Sequence, residues 1–248
     1  MNILAINGSP HGSLGNTDLI LKPLLKGMES AGAVTETIYL NKLNIKHCIG
    51  CFNCWFKTPG KCIHNDDMAL LLEKKRNADL IIYATPLYIF STTGLMKDFL
   101  DRSIPNVMPF FEENSGVNKL TKHPERYLRT APQKMLLVSS CGFPEEKHFS
   151  PLVQTFKHAA EENGTEYIGE IVKTAAWLLG TESMREKAAT YYADLHIAGK
   201  QLITQGKIGT ELLKKLHQSW LSDHEIRVMV NKEFHSLLDN KKFKNIEE

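Results

Sequence analysis

A chain of 248 residues, 42% hydrophobic and 23% charged, has the balance of a soluble globular protein and is long enough to bury a core without disulfides. Its formal charge of +2 gives no electrostatic reason to bind nucleic acid or an anionic membrane, and no run reaches the length of a membrane span. Its five cysteines are therefore expected in a cytoplasmic, reducing setting, where clustered thiols more often bind metal or do redox chemistry than pair.

The first apolar run, "NILAIN" (2–7), has no basic leader and reads as a buried strand, not a signal peptide. The Gly-rich "GSPHGSLGNT" follows, then a helical pattern over 17–31, in which Pro23 is set to remove a hydrogen bond and kink the helix. "VTETIYL" (34–40) predicts a second strand, and the cysteine segment occupies the next connection. "DDMALLLEKKRN" (66–77) predicts a helix whose acidic start and basic end suit its dipole. "DLIIYAT" (79–85), "KMLLVSS" (134–140) and "EYIGEIVKT" (166–174) predict strands three to five. Between the last two, "PLVQTFKHAAEENG" (151–164) opens at proline and closes at glycine, as helices do. Residues 104–131 lack periodicity, and connections of that length are usually lids or partner contacts. From 182 to 239 the pattern is helical only. "MREKAATYYADLHIAGKQLI" is expected to cover one face of a sheet, and the stretch after Gly209 to be an oligomer arm or a solvated tail.

Alternating strands and helices imply parallel strands joined by right-handed crossovers. Five strands suit a doubly wound, flavodoxin-like α/β sandwich of order 2-1-3-4-5, in which ligands bind beyond the carboxyl ends of the strands. Three loops are expected to meet there. "NGSPHGSLGNT" joins the first strand to the first helix, where free backbone amides and the helix dipole favour an anion. Ser9, Asn16 and Thr17 add side-chain donors, and Gly12 and Gly15 permit close backbone approach. The triphosphate-binding G-x-x-x-x-G-K-[ST] and dinucleotide G-x-G-x-x-G patterns are both absent, which leaves a terminal monophosphate. The plainer alternative is a turn with Asn16 or Thr17 as helix cap. After the third strand, "ATPLYIFSTTGLMKDFLDR" (84–102) offers Leu87, Tyr88 and Phe90 beside free backbone donors, suited to a planar heterocycle or to plain packing. "SSCGFPE" (139–145) ends the fourth strand at the same edge.

Cys48, Cys51, Cys54 and Cys62 have the spacing C-x2-C-x2-C-x7-C. Compact runs of this kind with one further cysteine bind [4Fe–4S] clusters, although here the fourth cysteine is distant and Ile63 stands where ferredoxins have proline. Two alternatives stay open: a mixed zinc site drawing on His47 or His64, and metal-free thiols packed as small apolar groups.

Taken together, "GSPHGSLGNT", "CIGCFNCWFKTPGKC", "DDM", "TPLY" and "GLMKDFLDR" resemble the NADPH-dependent FMN reductase and iron–sulfur flavoprotein group. The resemblance covers about the first 180 residues and implies an FMN-binding domain over 1–180, with helices over 181–248 completing it. It implies that Ser9, His11, Gly15, Asn16 and Thr17 hold the FMN phosphate, His11 standing where many members carry arginine. It implies that Pro86, Leu87, Tyr88 and Ile89 line the isoalloxazine ring, and that Ser140, Cys141, Gly142 and Phe143 approach it from the fourth strand. The cysteine motif would hold the cluster, shielded by Trp55 and Phe56. The implied activity is electron transfer from NADPH or NADH through FMN to a quinone, flavin, other small molecule or electron-transfer protein. No obligate acid–base side chain is expected. A homodimer or homotetramer is implied, and a non-enzymatic electron carrier is the alternative.

Overall fold

Five runs of strand-forming residues pair side by side in a computed structural model that describes residues 1–113 and 121–239. Residues 114–120 of the predicted long connection and 240–248 of the predicted C-terminal segment lie outside the described residues. The strands are β1 (Asn2–Asn7), β2 (Val34–Tyr39), β3 (Leu80–Pro86), β4 (Lys134–Ser140) and β5 (Glu166–Lys173). They form one all-parallel sheet of order β2-β1-β3-β4-β5, the flavodoxin-like topology. Strand order reverses between β1 and β3, so a ligand crevice is expected at their carboxyl ends.

Because the inner strands are covered on both sides, alternate residues fill two cores. Ile3, Ala5, Ile82 and Val138 face α1 (Asn16–Ser30). Leu4, Ile6, Ile81, Tyr83 and Leu137 face α2 (Met68–Asn77), α3 (Gly94–Asp101) and α4 (Ser150–Glu162). The helical C-terminal segment divides into α5 (Arg185–Thr204), α6 (Thr210–His217) and α7 (Asp223–Asp239). α5 lies so close to α1 that a Cβ on Gly27 would overlap the His196 carbonyl, and one on Gly199 the Leu24 carbonyl. The stretch after Gly209 is not one arm: α6 sends Leu216 into the core, and α7 stands outward with Ile226 as its buried residue. None of the described helices is long and apolar enough to cross a membrane.

Three local expectations are corrected. α1 runs unbroken through Pro23, because one lost backbone bond is outweighed by the burial of Ile20, Leu21, Leu24, Leu25 and Met28 along one face. Its N-cap is Gly15 and no side chain caps it; the Thr17 hydroxyl turns instead to Ser140 Oγ, 2.8 Å away. α2 begins only at Met68, and the two aspartates before it are spent on tertiary contacts. Asp67 accepts from the Asn44 amide at 2.7 Å, and Asp66 from the Lys46 amide at 3.0 Å and from Arg102.

Candidate functional site

The carboxyl ends of β1, β3 and β4 each lead into a loop with unused backbone donors. After β1, Asn7 Oδ1 accepts from the Ser9 amide (2.9 Å), and Ser9 Oγ accepts from the His11 amide (3.3 Å). These bonds curl the loop around the buried Ser9, and a Cβ on Gly15 would lie 2.6 Å from its hydroxyl. The His11 side chain is exposed, and the Asn16 and Thr17 amides, in the first turn of α1, have no partner inside the helix. Beneath them is a network that the sequence did not reveal. Asp18 is 1% exposed; its Oδ1 accepts from Asn7 Nδ2 (3.1 Å) and the Tyr39 hydroxyl (3.0 Å), and Lys22 Nζ lies 2.7 Å from Oδ2. Burial and the Asp18 carboxylate push the Tyr39 phenol up to about 12.

After β3, Pro86 and Leu87 stay with the sheet, the Leu87 amide donating to the Ser140 carbonyl at 2.8 Å. The chain then folds back in a tight turn, with Tyr88 and Ser91 exchanging two backbone bonds of 3.0 Å. Ile89 (φ 46°) and Phe90 (φ 57°) occupy the left-handed region, which is costly for large side chains and recurs at ligand-binding loops. The turn leaves the Ile89 and Phe90 amides unused by its own bonds and holds Ile89 91% exposed. After β4, the Cys141 amide bonds the Lys173 carbonyl, and Phe143's carbonyl accepts from Ala175. Burial raises the Cys141 thiol to about 11, so it is an uncharged lining group at neutral pH.

Thr17 to Ser140 and Leu87 to Ser140 tie the three loops to one edge, so the residues expected there from β1, β3 and β4 are brought together. Phe90 and Phe143 stack across this edge at 6.4 Å, with the His148 ring 5.4 Å and 4.7 Å from them. His148 was missed because nothing in its local sequence marks it; only the turn of the β4 loop brings it to the two rings.

The cysteine segment docks beside this edge on α3. His47 Nδ1 meets Asp98 Oδ1 at 2.6 Å, and Arg102, just past α3, donates to the Lys46 carbonyl at 2.6 Å. Arg102 and Asp66 form a buried bidentate pair at 2.8 and 2.9 Å. Burial opposes ionisation of Asp66, but hydrogen bonds from Arg102 and the amides of Lys46 and Met68 hold its carboxyl at about 2. All four motif cysteines line one small cavity, together with Gly50, Phe52, His64 and Ile104. Cys54 is buried, Cys62 half-buried, and Cys48 and Cys51 exposed. Among the described residues, no three Cys, His, Asp or Glu side chains are close enough to hold a metal ion as they stand. Nevertheless, three buried nitrogens near the motif have no partner: the Trp55 Nε1 and Arg102 Nε donors and His64 Nε2. Burial raises the Cys54 thiol, and Cys62, Cys51 and Cys48 add to the rise. Unpaired N–H groups around clustered thiols fit a group that supplies acceptor sulfur.

Residues 1–115 match the family described as NADPH-dependent FMN reductase. An iron–sulfur flavoprotein of Archaeoglobus fulgidus is 39% identical over 103 residues, which cover 42% of this chain and 49% of the relative. The chain spans about half the length of the iron–sulfur flavoproteins it matches. The fold is shared with an FMN-dependent NADH-azoreductase from Bacillus anthracis in complex with FMN (TM-score 0.59, 14% identity, 82% of this chain and 100% of that one). It is shared equally with an NAD(P)H:quinone oxidoreductase from Methanothermobacter marburgensis (TM-score 0.59, 15% identity, 82% and 96%).

Proposed function

We propose, from the match of residues 1–115 to the NADPH-dependent FMN reductase family, that this protein is an FMN-dependent NAD(P)H oxidoreductase. The observation that carries the reading is the meeting of three donor-bearing loops at the carboxyl edge of β1, β3 and β4. The amides of Asn16 and Thr17, with the His11 and Asn16 side chains, would hold the phosphate at the positive end of α1. Leu87, Tyr88 and the Ile89–Phe90 turn would meet the flat ring from one side, and Gly142 and Phe143 from the other. FMN held there would supply two-electron redox chemistry between a nicotinamide and a quinone, flavin or other acceptor. The chain's own work would be positioning and the supply of amide donors to the ring edge. Titrating FMN into the stripped protein tests this. One FMN should bind per chain, and the His11→Ala, Asn16→Ala double variant, which removes the two phosphate-facing side chains, should weaken it about tenfold. Unchanged affinity would remove the phosphate site, and failure to oxidise NADPH or NADH faster than free FMN would leave an electron carrier.

The same reading extends to the cysteines. Cys48, Cys51, Cys54 and Cys62 would hold a [4Fe–4S] cluster, supported by their shared cavity and the unpaired Trp55 and Arg102 donors near it. Anaerobic purification with iron and acid-labile sulfide counts tests it. Cys51→Ser should lose the iron and keep the flavin, whereas zinc or no metal in the native protein would overturn the assignment. Trp55, packed between Phe52 and His123 at 4.9 Å from each, would limit water at that site. Assembly as a homodimer or homotetramer is part of the proposal.

A further inference from the structure

A cavity of about 620 Å³ lies on the α2–α4 side of the sheet; it shares Ile104 with the cysteine cavity and reaches Ser91 and Thr92 at the end of the Tyr88–Ser91 turn. Its origin is geometric. α3 has only eight residues, about 12 Å of helix, whereas β3 and β4 run about 23 Å beneath it. The lower part of the sheet is roofed instead by residues 103–107 and 125–129, from the segment predicted to be a lid or partner contact. The apolar lining comprises the buried Tyr83, Met135 and Phe156 and the half-buried Leu100, Ile104 and Val107.

At one end, the charges do not balance. Lys97 is paired with Asp101 at 2.7 Å and Lys134 with Glu166 at 3.8 Å. Lys75 has no hydrogen bond or ion pair for its ammonium among the described residues, and burial draws it down to about 8. Arg129 spends its terminal nitrogens on the Arg76 and Ala78 carbonyls, which leaves Nε buried without a partner. Glu125 lies near enough to act on both cations electrostatically but forms no ion pair with Lys75 among the described residues. A half-buried cation and an unused N–H lining one cavity both gain from an anion that can accept hydrogen bonds. A cavity of this size with an apolar floor and a polar end is the usual form of a small-molecule site.

We propose that this cavity is a second ligand site, distinct from the strand-end crevice, that takes a carboxylate carried on a flat aromatic body. The carboxylate pairs with Lys75 and Arg129, and the ring lies against the half-buried Leu100, Ile104 and Val107. The site does not depend on the flavin reading. Its test uses the full chain as purified, with 2-naphthoate as probe and uncharged 2-naphthamide as control, followed by calorimetry and by the methyl NMR signal of Met135. Naphthoate should bind once per chain and shift the Met135 signal. Lys75→Met should weaken naphthoate at least tenfold, the loss expected for one charged hydrogen bond, while leaving the weaker naphthamide unchanged. Lys75→Arg should restore naphthoate binding, and Ala159→Phe, which fills the cavity from α4, should abolish binding of both. The proposal is overturned if naphthoate neither binds nor moves Met135 in the native chain. It is equally overturned if folded Lys75→Met binds naphthoate as tightly, or if folded Ala159→Phe still binds it. Should Lys75→Met not fold, Ala159→Phe and the Met135 signal decide.

Discussion

Lys173, the last residue of β5, is 1% exposed, yet it carries an ammonium group. Its Nζ donates to the Gln218 carbonyl at 2.8 Å and lies 4.4 Å from the Trp220 ring and 4.9 Å from that of Tyr191. Burial nonetheless lowers it from 10.5 to about 8. The sign follows from proton counting. Between about 8 and 10.5 the unfolded chain binds the proton and the folded chain has released it, so stability rises with pH across that window. Cys141, raised to about 11, acts in the opposite direction over part of the same range, so the native protein alone does not isolate the lysine. Comparison with Lys173→Met does. Urea unfolding should show the native protein gaining up to about 3 kcal/mol on the variant from pH 8 to 10.5. A constant difference would mean that the two rings and the carbonyl hold the proton in place.

Where α1 crosses α5, two opposed tendencies can be weighed. Gly199 sits inside α5, where alanine would favour the helix by about 1 kcal/mol. A Cβ there, however, overlaps the Leu24 carbonyl and crowds the Met28 amide, and such overpacking costs about 1–3 kcal/mol in a closed core. Gly199→Ala should therefore lower the thermal midpoint; a higher midpoint would show that the helices can separate freely. The crossing also marks the limit of what could be read from the chain. Strand and helix periods are local, so β4 falls where the alternation puts it, and the other elements within a few residues. A glycine in a helix, in contrast, looks like a defect until its neighbour is known. The same holds at the crevice. The loops after β1, β3 and β4 were legible because topology sends them to one edge. The turning of Thr17 toward Ser140, the burial of Asp18, the use of Asp66 by Arg102 and the cavity beside Lys75 all depend on long-range partners.

At the scale of the whole molecule, α6 and α7 part company. α6 is built in: Leu216 is fully buried, and His217 meets Glu146 at 3.1 Å beside the β4 loop. α7 is held by Ile226, packed with Ala175 and Leu178, and by Arg227 to Glu145 at 2.7 Å. Beyond these it shows Val228, Met229, Phe234 and Leu238 to solvent. A helix of 17 residues has little stability of its own in water, and these four side chains, spread around it, leave apolar surface that a second copy of the chain would cover on assembly. Deleting the chain after Ser222 should accordingly spare the core and FMN affinity but lower the assembled mass measured by light scattering. Deletion after Gly209, which removes Leu216 and His217 as well, should destabilise the fold itself. If the chain ending at Ser222 keeps the native mass, α7 is a solvated tail, and the contacts that assemble the protein lie on another face.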